Sequence, residues 1–298
     1  MLARLVTMAW LLAVGFQTAG AAEANRPKVP GAFRLQLRER VEQPPGSGQS
    51  RAVERKADWQ VSETAIIVCD MWDDHYCRMA AQRVAAMAPK MNRVLTAARS
   101  HGAMIIHAPS GTMDFYKDTP FRRRMIEAPT VKPPVPIAGW CYLDPQHEAE
   151  MPVDTSRSPC DDPVPREAIR MYTREHAAID IIGYDGVSDS GVEIYNFCRQ
   201  EGIKNIALMG VHTNMCVLGR PFGIRQMTRL GMHVVLVRDL TDAMYDPRES
   251  PHVSHARGTQ LVIEHIERHW CPSIDSADLT RAVDRSAAAE QTGDTASN

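Results

Sequence analysis

The chain has 298 residues, is 44% hydrophobic and 23% charged, and carries a formal net charge of −2. That is enough apolar material for one sizeable core or two small ones. The near-neutral balance leaves no basic footprint, so no nucleic-acid partner is expected.

The first residues read "MLARLVTMAWLLAVGFQTAGAAEANR". Arg4 precedes an apolar run from Leu5 to Phe16, and "TAGAAE" supplies the small residues of a cleavage site near Ala21 or Ala22. The run is short for a membrane span and has the flanks of a secretory signal. Residues 1–22 therefore read as a signal peptide, and the protein as exported, periplasmic or secreted, with no membrane attachment after signal removal. Residues 23–60 are rich in Pro, Gly, Arg and Gln. They read as a lead-in that wraps the surface, with one short strand at "AFRLQLR".

The core domain is expected over 61–276. It begins with "TAIIVCD" at 64–70, a short apolar run suited to a strand buried on both faces. Apolar residues at 84, 87, 91, 94, 95 and 98 then recur at helical spacing, with Gly102 as the stop. Pro89 within this stretch predicts a kink or a late start. "AMIIHAPS" reads as the second strand. Residues 110–165 break the pattern with many prolines and with Phe115, Tyr116 and Trp140, and read as an ordered lid. "AIRMY" and "AAIDII" supply the expected third strand, and "DSGVEIYNFCRQEG" a helix with an Asp-Ser cap. "NIALMG" is a strand, "CVLGRPFGIRQMTRLG" a helix, "HVVLVRDL" a strand and "HVSHARGTQLVIEHIERHW" a last amphipathic helix. Residues 277–298 are small and polar, and read as a disordered tail. Strands alternating with helices predict an α/β fold with a parallel sheet covered on both faces.

In such sheets the active crevice lies beyond the carboxyl ends of the strands. "CDMWDD" stands where a glycine-rich phosphate loop would follow the first strand, which argues against a nucleotide site. Asp70 ends that strand, and Cys216 opens a helix after "NIALMG". A carboxylate at an apolar strand end needs a partner or a task. A cysteine at a helix start has a positive dipole end and free N–H groups beside it, which favour a thiolate and can receive an oxyanion. Base and nucleophile together describe acyl transfer. Taken singly, Cys216 also fits a buried structural thiol and Asp70 a turn residue. Trp72, His75, Phe115, Tyr116 and Trp140 are candidates to line a small-molecule pocket; packing of the lid onto the sheet is the alternative for the aromatic rings.

"VCDMWDD" followed far downstream by "GVHTNMCV" resembles the isochorismatase-like cysteine hydrolases, among them nicotinamidases, N-carbamoylsarcosine amidases and isochorismatases. The resemblance covers residues 62 to about 270, apart from the lid. It implies a three-layer α/β/α fold with a central, mostly parallel sheet. It implies Asp70 as base, Cys216 as nucleophile, a cis peptide between Val211 and His212, and an oxyanion hole from the backbone N–H groups of His212 and Cys216. The family's catalytic lysine on the third strand has no counterpart in "IRMYTREHAAIDI". Arg174 takes its place in this reading, with His176 and Lys132 as further candidates. The D-x-H…H metal motif of nicotinamidases is also missing. His75, His107 and Asp114 could meet but follow no known ligand spacing, so neither metal nor cofactor is expected.

The expected activity is hydrolysis of a small amide, carbamoyl or related C–N bond through a thioester. Vinyl-ether hydrolysis, or an inactive binding or assembly protein on the same fold, are the alternatives. A homo-oligomer is expected. Of seven cysteines, Cys141 and Cys160 flank a polar loop and are the expected disulfide. Cys69 and Cys198 read as core, and Cys216 as free.

Overall fold

The computed structural model describes residues 26–164 and 166–283. The segment 1–22 expected to be a signal peptide and the residues beyond 283 lie outside the described residues. The chain opens with a hairpin of β1 (Ala32–Glu42) and β2 (Ser50–Gln60), antiparallel along their whole length. Then follow β3 (Thr64–Cys69), α1 (Arg78–Ser100), β4 (Met104–Ala108), α2 (Met113–Tyr116), α3 (Pro120–Ile126), β5 (Gly186–Val187) and α4 (Gly191–Glu201). The second half holds β6 (Asn205–Val211), α5 (Cys216–Gly219), α6 (Ile224–Arg229), β7 (His233–Asp242), α7 (His255–His269), β8 (Ser273–Ile274) and β9 (Ala282–Val283).

One sheet runs in the order β2-β1-β8-β7-β6-β3-β4-β5, with β9 beside β1. The pairings from β8 through to β5 are parallel. In β3 the side chains of Ala65, Ile67 and Cys69 join one core, and those of Ile66 and Val68 the other. All six residues of β3 are buried, which is why the strand reads as continuous apolar sequence rather than an alternation. The second core takes the buried stripe of α1, including Val84, Met91, Val94, Leu95 and Ala98. The first core takes α4 to α7 and the underside of the lid. This is the expected α/β architecture with helices on both faces.

Several local expectations need correction. The lead-in holds two long strands rather than one short one. Phe33, Leu35 and Leu37 alternate into the core, whereas β2 is mostly exposed and forms because β1 offers it a full ladder. Helix α1 starts at Arg78 and runs through Pro89. The single helix expected from Cys216 to Gly231 is broken into α5 and α6, since Pro221 cannot donate a helical hydrogen bond. "AIRMY" and "AAIDII" form no strand. The third parallel strand is only Gly186–Val187, and the preceding segment is held by side chains and one bridge between Trp72 and Glu175. The described part of the tail, 277–283, is ordered: a turn at Ser276–Leu279 buries Leu279, and β9 follows, while the rest of the expected tail lies outside the described residues.

The lid is ordered by polar anchors as well as by its aromatics. Glu148 is buried and accepts from Arg225 at 2.7 and 2.9 Å, from the Trp270 indole at 2.9 Å, and lies 2.9 Å from His265 Nε2. These partners hold its carboxyl well below the usual range, against the opposing effect of burial. Arg122, within "RRR", pairs with Glu193 of α4. Cys141 and Cys160 are both free and sit in separate surroundings. The Cys141 thiol donates to Gln226 at 3.4 Å, whereas Cys160 packs with Cys77, Ala80 and Met244. The lid folds around Arg225 and Gln226 at one end and α1 at the other, which separates the thiols that the sequence seemed to pair.

Two outcomes follow. Glu148→Ala leaves Arg225 and His265 without their shared carboxylate, and should lower stability by about 3–5 kcal/mol in urea unfolding; a loss within experimental error would show the lid is not anchored there. His107 is fully buried between Glu175 (2.7 Å) and Asp185 (3.2 Å), and its pKa is raised to about 9. Burial opposes that shift, and the two carboxylates outweigh it. A raised folded-state pKa gives stability that is complete below about 6.5 and is lost as pH rises through about 9. Urea midpoints should fall over this window, and His107→Gln should flatten the fall.

Candidate active site

The strand order reverses between β3 and β6. The connection after β3 passes through α1 to β4 on one side, while β6 lies on the other. Such a reversal opens a crevice at the carboxyl ends of the two strands. Cys69 pairs with Gly210 in the last register of this ladder, so Asp70 and the turn after β6 emerge side by side. Gly210 has φ +109°, and a methyl group there would overlap the Cys69 carbonyl. Glycine is required for the close approach.

Asp70 is fully buried and sits at φ +48°, a left-handed conformation that Asp tolerates better than most residues. One carboxylate oxygen accepts the Ser110 N–H at 2.8 Å, and the other accepts Arg220 Nε at 3.0 Å. The Cys216 thiol lies beside this carboxylate, and each shifts the other's pKa. Burial raises the Asp70 pKa, and Arg220 is the largest opposing influence. Burial raises the Cys216 thiol strongly, and the Asp70 charge adds to it; Arg220 works the other way. The expectation of a preformed thiolate is thus reversed. Helix α5 is only one turn long, and desolvation of a nearly enclosed sulfur outweighs what its N–H groups supply.

The Val211–His212 peptide is cis. The His212 backbone lies close enough to the Cys216 sulfur to lower its pKa, and the Cys216 N–H, at the first position of α5, has no intrahelical acceptor. The His212 ring is buried and neutral, its pKa pushed down to about 3 by desolvation first and by His75 second. Aromatic rings wall this point. Trp72 stacks on Tyr172 with centroids 4.1 Å apart and on His75 at 6.1 Å, and His75 meets His212 edge-on at 5.2 Å. Trp140 comes down from the lid onto Gly219, where a methyl group would stand 2.7 Å from its ring, and Arg220 lies over it at 5.5 Å.

Asp70, Cys216, His212, Trp72, His75 and Trp140 are therefore brought together. Other candidates are engaged elsewhere. Arg174 is not the partner of Asp70: its guanidinium lies 3.9 Å from Asp73 and over the Phe115 ring, which is 54% exposed. The irregular segment that replaces the expected third strand carries it outward. His176 Nδ1 accepts the Ala178 N–H at 3.2 Å, and Lys132 is exposed. Tyr116 is buried beneath this wall, its hydroxyl accepting the Glu175 N–H at 2.9 Å. His75, His107 and Asp114 do not converge, since His107 is enclosed by Glu175 and Asp185 and Asp114 is exposed on α2. Sequence reasoning missed Arg220 and Tyr172. Arg220 had a readable signal: four residues after Cys216, it falls on the same side of a helical turn. A cavity of about 580 Å³ lined by Trp59, Lys204, His233 and Trp270 lies at the opposite, amino-terminal edge of the sheet and includes none of these residues.

Residues 64–265 match the family model described as the Isochorismatase domain. No curated protein sequence matches the chain. Among solved structures, it is similar to a cysteine hydrolase from Pseudomonas syringae pv. phaseolicola 1448A, with 16% identity over 74% of this chain and 92% of that one, at a TM-score of 0.45. An isochorismatase family protein from Burkholderia thailandensis gives 15% identity over 73% and 93%, at 0.41. N-carbamoylsarcosine amidase from Thermoplasma acidophilum gives 13% over 62% and 87%, at 0.34. With the matched domain covering two thirds of the chain, from β3 into α7, the chain belongs to the isochorismatase family of hydrolases.

Proposed function

We propose that the protein is an exported cysteine hydrolase that cleaves a small amide, carbamoyl or related C–N bond, with Cys216 as nucleophile, Asp70 as proton carrier and Arg220 as the cation of the site. One observation carries this reading. A single buried carboxylate holds both a thiol and a guanidinium. A core thiol kept only for packing has no need of either.

The raised thiol pKa makes Asp70 a general base rather than a bystander. As Sγ attacks the carbonyl carbon, the S–H proton passes to Asp70, so no free thiolate is needed at rest. Negative charge develops on the carbonyl oxygen, where the N–H groups of His212 and Cys216 can receive it. Asp70 then returns its proton to the departing nitrogen. The C–N bond breaks, leaving a thioester that water hydrolyses with Asp70 again as base. Arg220 stays protonated throughout and cannot take the proton-donating role open to a lysine. Its part is to keep Asp70 ionised in a dry site. The aromatic wall favours a small, flat substrate. Export and self-association belong to the same proposal; cell fractionation and light scattering test them.

A screen of amides, carbamates and ureas with product identification comes first. On any substrate found, Cys216→Ala should lower kcat by at least about a thousand-fold with the fold intact; wild-type turnover in this variant would end the covalent mechanism. The pH profile tests Asp70 and Arg220. Asp70 must be ionised to act, and burial raises its pKa, so kcat/KM should fall on the acidic side above the ordinary carboxylate range. Arg220→Gln removes the main influence holding that pKa down. The acidic limb should move to higher pH and kcat drop about a hundred-fold, while Arg174→Gln leaves the limb in place. An unmoved limb in Arg220→Gln would remove Arg220 from the mechanism.

A further inference from the structure

The proposed reaction makes no use of a second pair of thiols. Cys77 is the residue that caps the start of α1, and Cys160 lies near the end of the lid. Both are completely buried. Their sulfurs and one carboxylate oxygen of Asp162 lie within 4.8 Å of one another. The backbone on either side of the pair is fixed without help from sulfur. Asp162 accepts the N–H groups of Arg78 at 3.0 Å and Met79 at 2.9 Å, tying the lid to the first turn of α1. Arg248 donates to the carbonyls of Cys160 and Asp162, and Arg166 to those of His75 and Tyr76. The contacts of the Cys77 thiol to Asp161 and Asp162 are both 3.5 Å, weak bonds from a weak donor.

We propose that Cys77 and Cys160 are a cross-linking site that forms a disulfide by exchange with a small-molecule or protein disulfide. One protein thiol, as thiolate, attacks the donor disulfide; a mixed disulfide forms and one donor thiol leaves. The second protein sulfur attacks the first, closing the Cys77–Cys160 bond and releasing the second donor thiol. Two S–H bonds of the protein are lost and one S–S bond is gained. Two electrons and two protons end on the donor, which is reduced to two thiols. The facing sulfurs need only approach within the existing scaffold to reach bonding distance. A metal fits less well. Asp162 already uses both oxygens on α1, which leaves two sulfurs where a structural zinc site takes four ligands. The cross-link would join the far root of the lid to the residue that follows His75 and Tyr76, so it bears on one wall of the crevice.

The test uses the full chain, refolded from denaturant with oxidised glutathione so that burial does not limit access, then alkylated and digested without reduction. The expected product is a linked pair of peptides carrying Cys77 and Cys160, two hydrogens lighter than the separate peptides, with Cys141 and Cys216 alkylated. The oxidised protein should melt roughly 10 °C above the reduced one, given the long loop enclosed. Cys77→Ser and Cys160→Ser should each abolish that difference. The proposal is overturned if both thiols are alkylated after this treatment, if Cys160 is found linked to Cys141, or if the protein as purified holds stoichiometric zinc that Cys77→Ser loses.

Discussion

A carboxylate buried at the end of a β-strand is the constraint around which the rest of this protein is arranged. Asp70 is fully enclosed, and an isolated charge there would cost several kcal/mol. Three contacts offset that cost: the Ser110 N–H from the segment after β4, the Arg220 guanidinium from beyond α5, and the Cys216 thiol. They come from two connections at the same sheet edge: Ser110 follows β4, and Cys216 and Arg220 both follow β6. The carboxylate therefore serves as a gauge of the fold, since its charge is tolerable only when both segments have arrived at the end of β3.

The same arrangement underlies the proposed chemistry. Desolvation raises both the acid and the thiol, so the proton rests on sulfur while the carboxylate beside it remains the nearest acceptor. The guanidinium sets how far the carboxylate can drift toward neutrality. Arg220 is held against Trp140, and Trp140 packs on Gly219. The lid thus bears directly on the cation that tunes the base. Its own position depends on a second buried carboxylate, Glu148, bound to Arg225 and His265 on α6 and α7. Two buried acids, each satisfied by arginine, connect the catalytic edge to the cover above it.

What could be read in advance follows the physics of each segment. The buried strands announced themselves because neither face of β3 or β6 meets water, so polarity has no place in them. The hairpin β1–β2 was half legible. Its inner strand alternates, but the outer one is mostly exposed, with Trp59 buried at its end, and is defined by its partner. The segment before β5 was misread because short apolar runs such as "AIRMY" carry no long-range information. Tyr172 and Glu175 are instead drawn to Trp72, a contact visible only in three dimensions. Arg174 was misplaced for the same reason, and Cys160 was matched with the wrong thiol because loop spacing says nothing about which way each end turns.

The sequence by itself determined the alternation of strands and helices, the acid at the end of the first core strand, and the cysteine after a buried strand with the residues around it. Those features rest on local periodicity and on a short motif, both of which are properties of neighbouring residues. Only the tertiary structure decided which cation meets the acid, which rings form the wall, which thiols face each other, and that the Cys216 proton stays on sulfur. These depend on desolvation and on contacts between segments far apart in the chain, such as Asp70 and Arg220, 150 positions away. The spacing of four residues from Cys216 sets Arg220 on the side of the thiol, and the reversal of strand order between β3 and β6 brings both to Asp70.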